Sequence, residues 1–266
     1  MTRLIWPVLT FVYLIAATQA GAQTNKAQEL SKQLSNPLAN LISVPIKLDH
    51  NSGFGDGSGE QNVVTVQPVI PISISPTWNV ISRTIVPYVT QDGIASGSGK
   101  QSGFGNTTQS FFFSPKAPTK GGLIWGVGPT FQIPTANNGI APNDWGLGLT
   151  GVVLKQKNGW TTGALASQTW SVSGGSVGNK FSDLYLQPFV GYSTPKGTSF
   201  TLNTEATYSW VSDEWSVPIN FMVGQVAKIG GQHLQFTAGA RYWADSPAGG
   251  ADAWGARLQV TFLFPK

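Results

Sequence analysis

Lys47, Gln67, Thr130, Gln132, Gln187, Asn203, Glu205, Asn220, Gln235, Arg241, Arg257 and Gln259 are the side chains best placed to do chemistry, each at a polar position of a stretch in which every second residue is apolar. As a set they bind rather than react. Amides, a hydroxyl, an ammonium and guanidinium groups donate hydrogen bonds, and Glu205 is the lone carboxylate among them. Nucleophilic catalysis has few options, because the chain holds two histidines and no cysteine. His50 opens a loop, and His233 begins a polar-apolar stretch with no serine close by in sequence. Both read as ordinary polar histidines. Asp49, His50 and Asp56 could gather around a metal, but so can most acidic loops. The loop Gly53–Gly59 is flexible spacing rather than a phosphate cradle, since no helix start follows it. Neither a metal, a cofactor nor an enzyme activity is expected.

The composition tells what kind of surface carries these residues. Only 11% of the chain is charged, against about 25% in a typical soluble domain, while hydrophobic residues stay at 41%. Glycine (32 residues), tryptophan (10) and uncharged polar residues replace the missing charge. That balance suits a sheet with one face in lipid and the other in water. The net charge of +4 is mild and no basic run accompanies it, which argues against nucleic acid as a partner.

Arg3, the apolar stretch Leu4–Ala17 and the sequence Ala20-Gly21-Ala22 predict a signal peptide over residues 1–22, with Gln23 as the mature start. The stretch is shorter than the roughly 20 residues a membrane-spanning helix needs. Residues 23–39 predict a short helix. Asn25 can cap it, Gln28 fits a capping box, Ala27, Leu30 and Leu34 share one face, and Pro37 ends it.

From residue 40 the apolar period changes to two. Val44, Ile46 and Leu48 alternate with Ser43, Lys47 and Asp49; Phe236, Ala238 and Ala240 alternate with Gln235, Thr237 and Arg241; Leu258, Val260 and Phe262 alternate with Arg257, Gln259 and Thr261. Side chains on a strand point alternately to opposite faces, so each such stretch has an apolar and a polar side. Segments near 77–90, 103–114, 145–156 and 160–172 are ambiguous in phase; Arg83, for example, stands among Ile81 and Ile85. With them the chain predicts about twelve strands, at 41–50, 62–74, 77–90, 103–114, 122–134, 145–156, 160–172, 182–194, 198–211, 215–228, 232–245 and 253–264. An even number is what a single-chain bacterial barrel requires.

The connections alternate between tight turns, such as Lys157-Asn158-Gly159 and Ile229-Gly230-Gly231, and longer Gly/Ser/Asp-rich loops, such as 51–61, 92–102 and 246–252. Short periplasmic turns and longer outer loops are the barrel pattern, and they place both chain ends in the periplasm. Trp78, Trp125 and Trp160 fall near periplasmic strand ends, and Trp145, Trp170, Trp210, Trp215 and Trp254 near outer ends. Such rings belong at lipid–water boundaries. Trp160 and Trp170 are ten residues apart on one face; at about 3.3 Å per residue and a tilt near 40° they span roughly the 25 Å apolar band of a barrel. A soluble sandwich would share the alternation but not the aromatic residues gathered at strand ends. The close Val260-Thr-Phe-Leu-Phe264 resembles the signal read by barrel-assembly machinery, although Pro265-Lys266 follow it.

Ala27-Gln-Glu-Leu-Ser-Lys-Gln-Leu-Ser-Asn-Pro37, Gln67-Pro-Val-Ile-Pro-Ile72, Asn79-Val-Ile-Ser-Arg-Thr-Ile-Val-Pro87, Gln109-Ser-Phe-Phe-Phe-Ser-Pro-Lys-Ala-Pro118, Trp125-Gly-Val-Gly-Pro129, Trp215-Ser-Val-Pro-Ile-Asn220 and Gly239-Ala-Arg-Tyr-Trp-Ala-Asp-Ser-Pro247 give the mature chain a further likeness. It resembles a bacterial outer-membrane β-barrel family often labelled "neuromedin U", within a porin-like transporter group named for the MetA pathway of phenol degradation. The resemblance implies an outer-membrane barrel and, loosely, transport. It supplies no substrate, and the neuropeptide label has no physical support in these residues.

The expectation is therefore an all-β chain: a transmembrane antiparallel β-barrel of about twelve strands at 40–266, with a short helix at 23–39 after a cleaved signal peptide. The helix could plug the periplasmic mouth or rest outside. The polar residues named at the outset should line the lumen. Pairing Trp210 with Trp215 sets Glu205 opposite Asn220, a turn at Gly230-Gly231 sets Asn220 near Arg241, and a loop centred on Gly249 sets Arg241 opposite Arg257. Facing arginines repel unless an anion, a carboxylate or water separates them. The row is either a constriction for anionic or hydroxyl-bearing solutes or a network that fills a small barrel. In the cell outer membrane the expected partners are lipid, an unidentified small solute and the assembly machinery. The functional expectation is a channel or transporter, with a structural or adhesive barrel as the alternative and a membrane enzyme less favoured.

Overall fold

The computed structural model describes residues 26–95, 99–137, 139–172 and 180–265. The expected signal peptide and the Asn25 cap lie outside them. Where the sequence alternates, the backbone is extended and every neighbouring pair is antiparallel. The strands are β1 (Leu41–Phe54), β2 in two parts (Gly59–Val66 and Val69–Ser73), β3 (Trp78–Asp92), β4 in two parts (Gln101–Phe104 and Thr107–Pro115), β5 (Leu123–Ile133), β6 (Gly146–Lys157), β7 (Trp160–Ser171), β8 (Ser182–Ser193), β9 in two parts (Thr198–Thr204 and Ala206–Ser209), β10 (Glu214–Ile229), β11 (Gln232–Asp245) and β12 (Ala253–Pro265). β1 pairs with β12 from Leu41 opposite Pro265 to His50 opposite Ala256, which closes a barrel of twelve strands. Closure leaves no unpaired edge, as hydrocarbon surroundings demand.

Local chemistry sets the turns and breaks. Asn158 (φ 51°) and Gly159 (φ 83°) form one two-residue hairpin, and Gly230 (φ 56°) and Gly231 (φ 89°) another; positive φ at both positions matches the twist of the strands they join. β2 breaks at Pro68, which has no N–H to give the ladder. β9 breaks at Glu205, whose backbone N–H reaches the carbonyl of Pro218 at 3.3 Å.

The outer surface is apolar: Ile46, Leu48, Val64, Leu149, Leu202, Phe221 and Leu258 all stand exposed on it. A patch that encircles the molecule far exceeds what a soluble monomer exposes, and it is bounded by aromatic residues at both rims. Trp78 packs edge-on to Trp125 and Trp160 against Tyr192 at the turn end; Tyr208 meets Trp210 and Trp215, and Tyr242 meets Trp254, at the loop end.

The inner surface has two halves. Lys47, Asp49, Asn203, Asn220, Arg241, Arg257 and their neighbours make the half built from β1 and β9–β12 polar. Along β3–β8 a cluster of inward apolar residues, Ile81, Phe112, Val152, Leu154 and Leu165, packs with Leu38 and the partly buried Val69, Ile124, Tyr185 and Phe189, beside inward polar residues such as Gln91, Thr130 and Thr161. These are the strands whose phase the sequence left ambiguous. β3 even inverts the usual polarity. Its Ile81 faces in, while Ser82 and Thr84 share hydrogen bonds of 3.0 and 2.6 Å with Gln109 on the opposite face.

Among the described residues the helix occupies 26–34, and the chain turns before Pro37, so the helix ends short of the expected residue 39. Its seat is the mouth of the barrel rather than the outside. Leu30, 3% exposed, joins Leu41, Val226 and Leu263 in a small apolar cluster. Ser31 donates a hydrogen bond to Ser193 at 3.0 Å, Ser35 bonds Thr161 at 2.9 Å, and Gln156 bonds the Lys32 carbonyl at 2.8 Å. At Gly197 a Cβ would lie 2.8 Å from the Cβ of Ala27, so only glycine lets the helix approach this closely.

Candidate functional site

Four charged side chains cross the lumen near its middle. Arg257 reaches both oxygens of Asp49, at 2.5 and 2.9 Å, and both oxygens of Glu205, at 2.9 and 2.8 Å. Arg241 adds longer contacts to Asp49 (3.3 Å) and Glu205 (3.6 Å). Its guanidinium stacks 5.0 Å from the ring centre of Trp243, whose indole N–H donates to Asn51 at 3.3 Å. The side chain of Arg257 is only 3% exposed, so each of its two forks must meet a carboxylate to offset lost hydration.

This arrangement corrects the expected row. Asn203, not Glu205, stands opposite Asn220 and accepts a 2.9 Å hydrogen bond from it. Trp215 stands opposite Tyr208, because Asp213 (φ 61°) ends the turn with its N–H on the Ser209 carbonyl and leaves Trp210 outside the ladder. Arg241 faces Gly255 and Arg257 faces Gly239, because the last loop turns on Pro247, whose carbonyl receives the Gly250 N–H. Only the pairing of Asn220 with Arg241 is as expected. Both errors shift a strand by two residues. An even shift keeps every side chain on its own face, so Glu205, Asn220, Arg241 and Arg257 still point inward although the row is different. The arginines are separated by carboxylates. One of these, Asp49, was absent from the expected set, although it shares the phase of Ser43 and Lys47.

The remaining residues divide by position. Lys47, Gln67, Gln187, Gln235 and Gln259 border a chamber of about 250 Å³ between the ion pairs and the helix. A second chamber of about 400 Å³ opens above Asp49, Glu205 and Arg241 toward the outer loops. Glu205 borders both, so the ion-pair layer is the partition between them. Thr130 is buried against Ser110 at 2.8 Å, and Gln132 donates to the Asp144 carbonyl at 3.3 Å. Arg83, which the sequence left unplaced, also borders the inner chamber. His50 points to the outer face, where it meets Asn62 at 3.0 Å, away from Asp49.

No family model matches the chain, and no curated protein matches it. Solved structures do. The COG4313 outer membrane channel from Pseudomonas putida F1 is similar with a TM-score of 0.65 at 15% identity, over 85% of this chain and 96% of that one. The outer membrane phospholipases of Salmonella typhi and Escherichia coli align with TM-scores of 0.46 and 0.47 at 10% and 9% identity, over 84% of this chain and 91% and 92% of theirs. The fold is that of an outer-membrane β-barrel, and the apolar belt with its aromatic rims places the chain in that membrane. The expectation that the chain is no enzyme is withdrawn: one barrel architecture can host channels and enzymes alike, so the fold does not exclude catalysis.

Proposed function

We propose that the protein is an outer-membrane channel for small anionic or hydroxyl-bearing solutes, held here in a closed state. The observation that carries this reading is the pair of polar-walled chambers inside the barrel, parted by one layer of ion pairs and stopped at the periplasmic mouth by the helix. A purely structural barrel would have no use for such cavities. Twelve strands fall between side-chain-filled barrels of about eight and open porins of about 16–18, which fits a narrow path. The similar Pseudomonas putida structure is described as a channel, and the likeness to the group labelled "neuromedin U" points the same way. The residues expected to line the pore, together with Asp49 and Arg83, would border the path. The mature chain starting at Gln23 would be delivered to the assembly machinery after removal of residues 1–22.

Purified protein in planar bilayers should give small, discrete conductance steps in potassium chloride. Silence in bilayers combined with release of fatty acid from phospholipid vesicles would replace the channel with an enzyme. Silence with no hydrolysis would leave a structural barrel.

A further inference from the structure

At mid-barrel four cations, Lys47, Arg83, Arg241 and Arg257, face two carboxylates, Asp49 and Glu205; a further inward acid, Asp183, sits nearer the outer rim. Both carboxylates are taken up by Arg241 and Arg257. Lys47 and Arg83 make no ion pair or side-chain hydrogen bond among the described residues, and the Nε of Arg83 is buried without a partner. Between them, at the break in the intervening strand β2, Gln67 shares the condition of Arg83, with its Oε1 buried and unpartnered. The three residues are inward positions of three successive strands and border one chamber. Buried polar groups are almost always satisfied, so two adjacent exceptions beside an unpaired lysine around one cavity call for an absent partner. Two unpaired cations require that partner to be an anion. The opposite wall of the chamber includes Leu165 and Phe189, which suit an apolar body rather than a fully hydrated ion.

We infer that Lys47, Gln67 and Arg83 form a binding site for a small organic carboxylate, with its charged head between the two cations and its apolar body against Leu165 and Phe189. Gln67 can donate to the carboxylate from its amide nitrogen and accept from a ligand hydroxyl through its oxygen. The site deepens the channel reading by naming a solute class and the residues that select it.

The test uses benzoate as probe and benzamide as its uncharged counterpart of similar shape, titrated calorimetrically into the purified protein in detergent. Benzoate should bind and benzamide should not. Lys47→Gln or Arg83→Gln should each weaken benzoate about tenfold, a change of one decade in Kd, the double variant should abolish binding, and Lys47→Arg should retain it. Lys100→Gln, in an outer loop, should change nothing. Equal binding of the two probes, no binding of benzoate by the wild type, or undiminished binding by the double variant overturns the site. The comparison of probes needs no variant to fold; each variant's fold is checked by its mobility on unboiled gels. Conductance measured on the same preparations separates the two ideas. A conducting protein that ignores benzoate loses the site and keeps the channel, whereas one that binds benzoate without conducting keeps the site and loses the channel.

Discussion

Asp49 and Arg257 face each other across the seam where β1 meets β12, joined by two parallel hydrogen bonds although 208 residues separate them in sequence. The pair therefore belongs to the closure of the barrel as much as to the lumen. Arg257 is pinned on its other side by Glu205, from the broken point of β9, so one guanidinium spans the lumen from wall to wall.

Removing Asp49 should cost more than the pair itself contributes, because it leaves Arg257 and Arg241 buried with one carboxylate between them. Asp49→Asn is expected to destabilise the barrel by about 3–5 kcal/mol, whereas Asp49→Asn combined with Arg257→Gln should recover part of the loss. Denaturant midpoints of protein folded into lipid vesicles measure both. Equal destabilisation by the single and double variants would show that the seam pair is not coupled.

Substituting the arginines should remove the excess of positive charge at the partition. With Arg241→Gln and Arg257→Gln, Asp49 and Glu205 lose their ion-pair partners and only Lys47 and Arg83 remain to balance them, and the reversal potential under a salt gradient should move toward cation selectivity. Glu205→Gln should move it the other way. Raised salt should shrink both shifts, since the screening length falls from about 10 Å at 0.1 M to about 3 Å at 1 M. An unchanged reversal potential at normal conductance would take the ion pairs out of the permeation path.

The helix should act as a stopper that can be dislodged without unfolding the wall. Leu30→Asp sets a charge in the cluster of Leu41, Val226 and Leu263, and burying an unpaired charge is strongly unfavourable. Single-channel conductance should rise in this variant while mobility on unboiled gels stays that of the folded barrel. A conductance equal to wild type would mean that the helix does not limit flow.

Leu258 lies mid-way along β12 and is 56% exposed on the outer face. In a bilayer that exposure is contact with lipid, so Leu258→Arg should cost about 2–4 kcal/mol of folding free energy, far more than Leu258→Ala. Folding titrations into phosphatidylcholine vesicles compare the two. Little difference between them would contradict a lipid-facing β12.

The sequence revealed the parts of this molecule in which only one face of a strand is apolar. β1, β11 and β12 alternate cleanly because lipid lies on one side and the ion-pair layer on the other. β3, β4, β6 and β7 were hard to phase because Ile81, Phe112, Leu154 and Leu165 fill the lumen while other apolar residues face lipid. A pattern with both faces apolar carries no period. Arg83 was left unplaced for that reason. Registers missed by two because Asp213 and Pro247, rather than the centres of the loops, set where the turns form. Asp49 was passed over for a different reason: hairpin symmetry links consecutive strands only, and its partner lies on the strand at the opposite end of the chain.

The partition draws on β1, β9, β11 and β12, so its ions cannot all meet until the last strand has been laid against the first. Pairing of distant chain segments comes late when loop closure must precede it. Before that moment Asp49 and Glu205 repel one another across a hydrated gap; afterwards two arginines bind them together. The final step of assembly is thus cooperative, with the incoming β12 delivering Arg257 to neutralise charges laid down at the start of the chain. A barrel arrested one strand short would remain wet and loosely held at its waist, with Arg241 alone to bridge the two carboxylates.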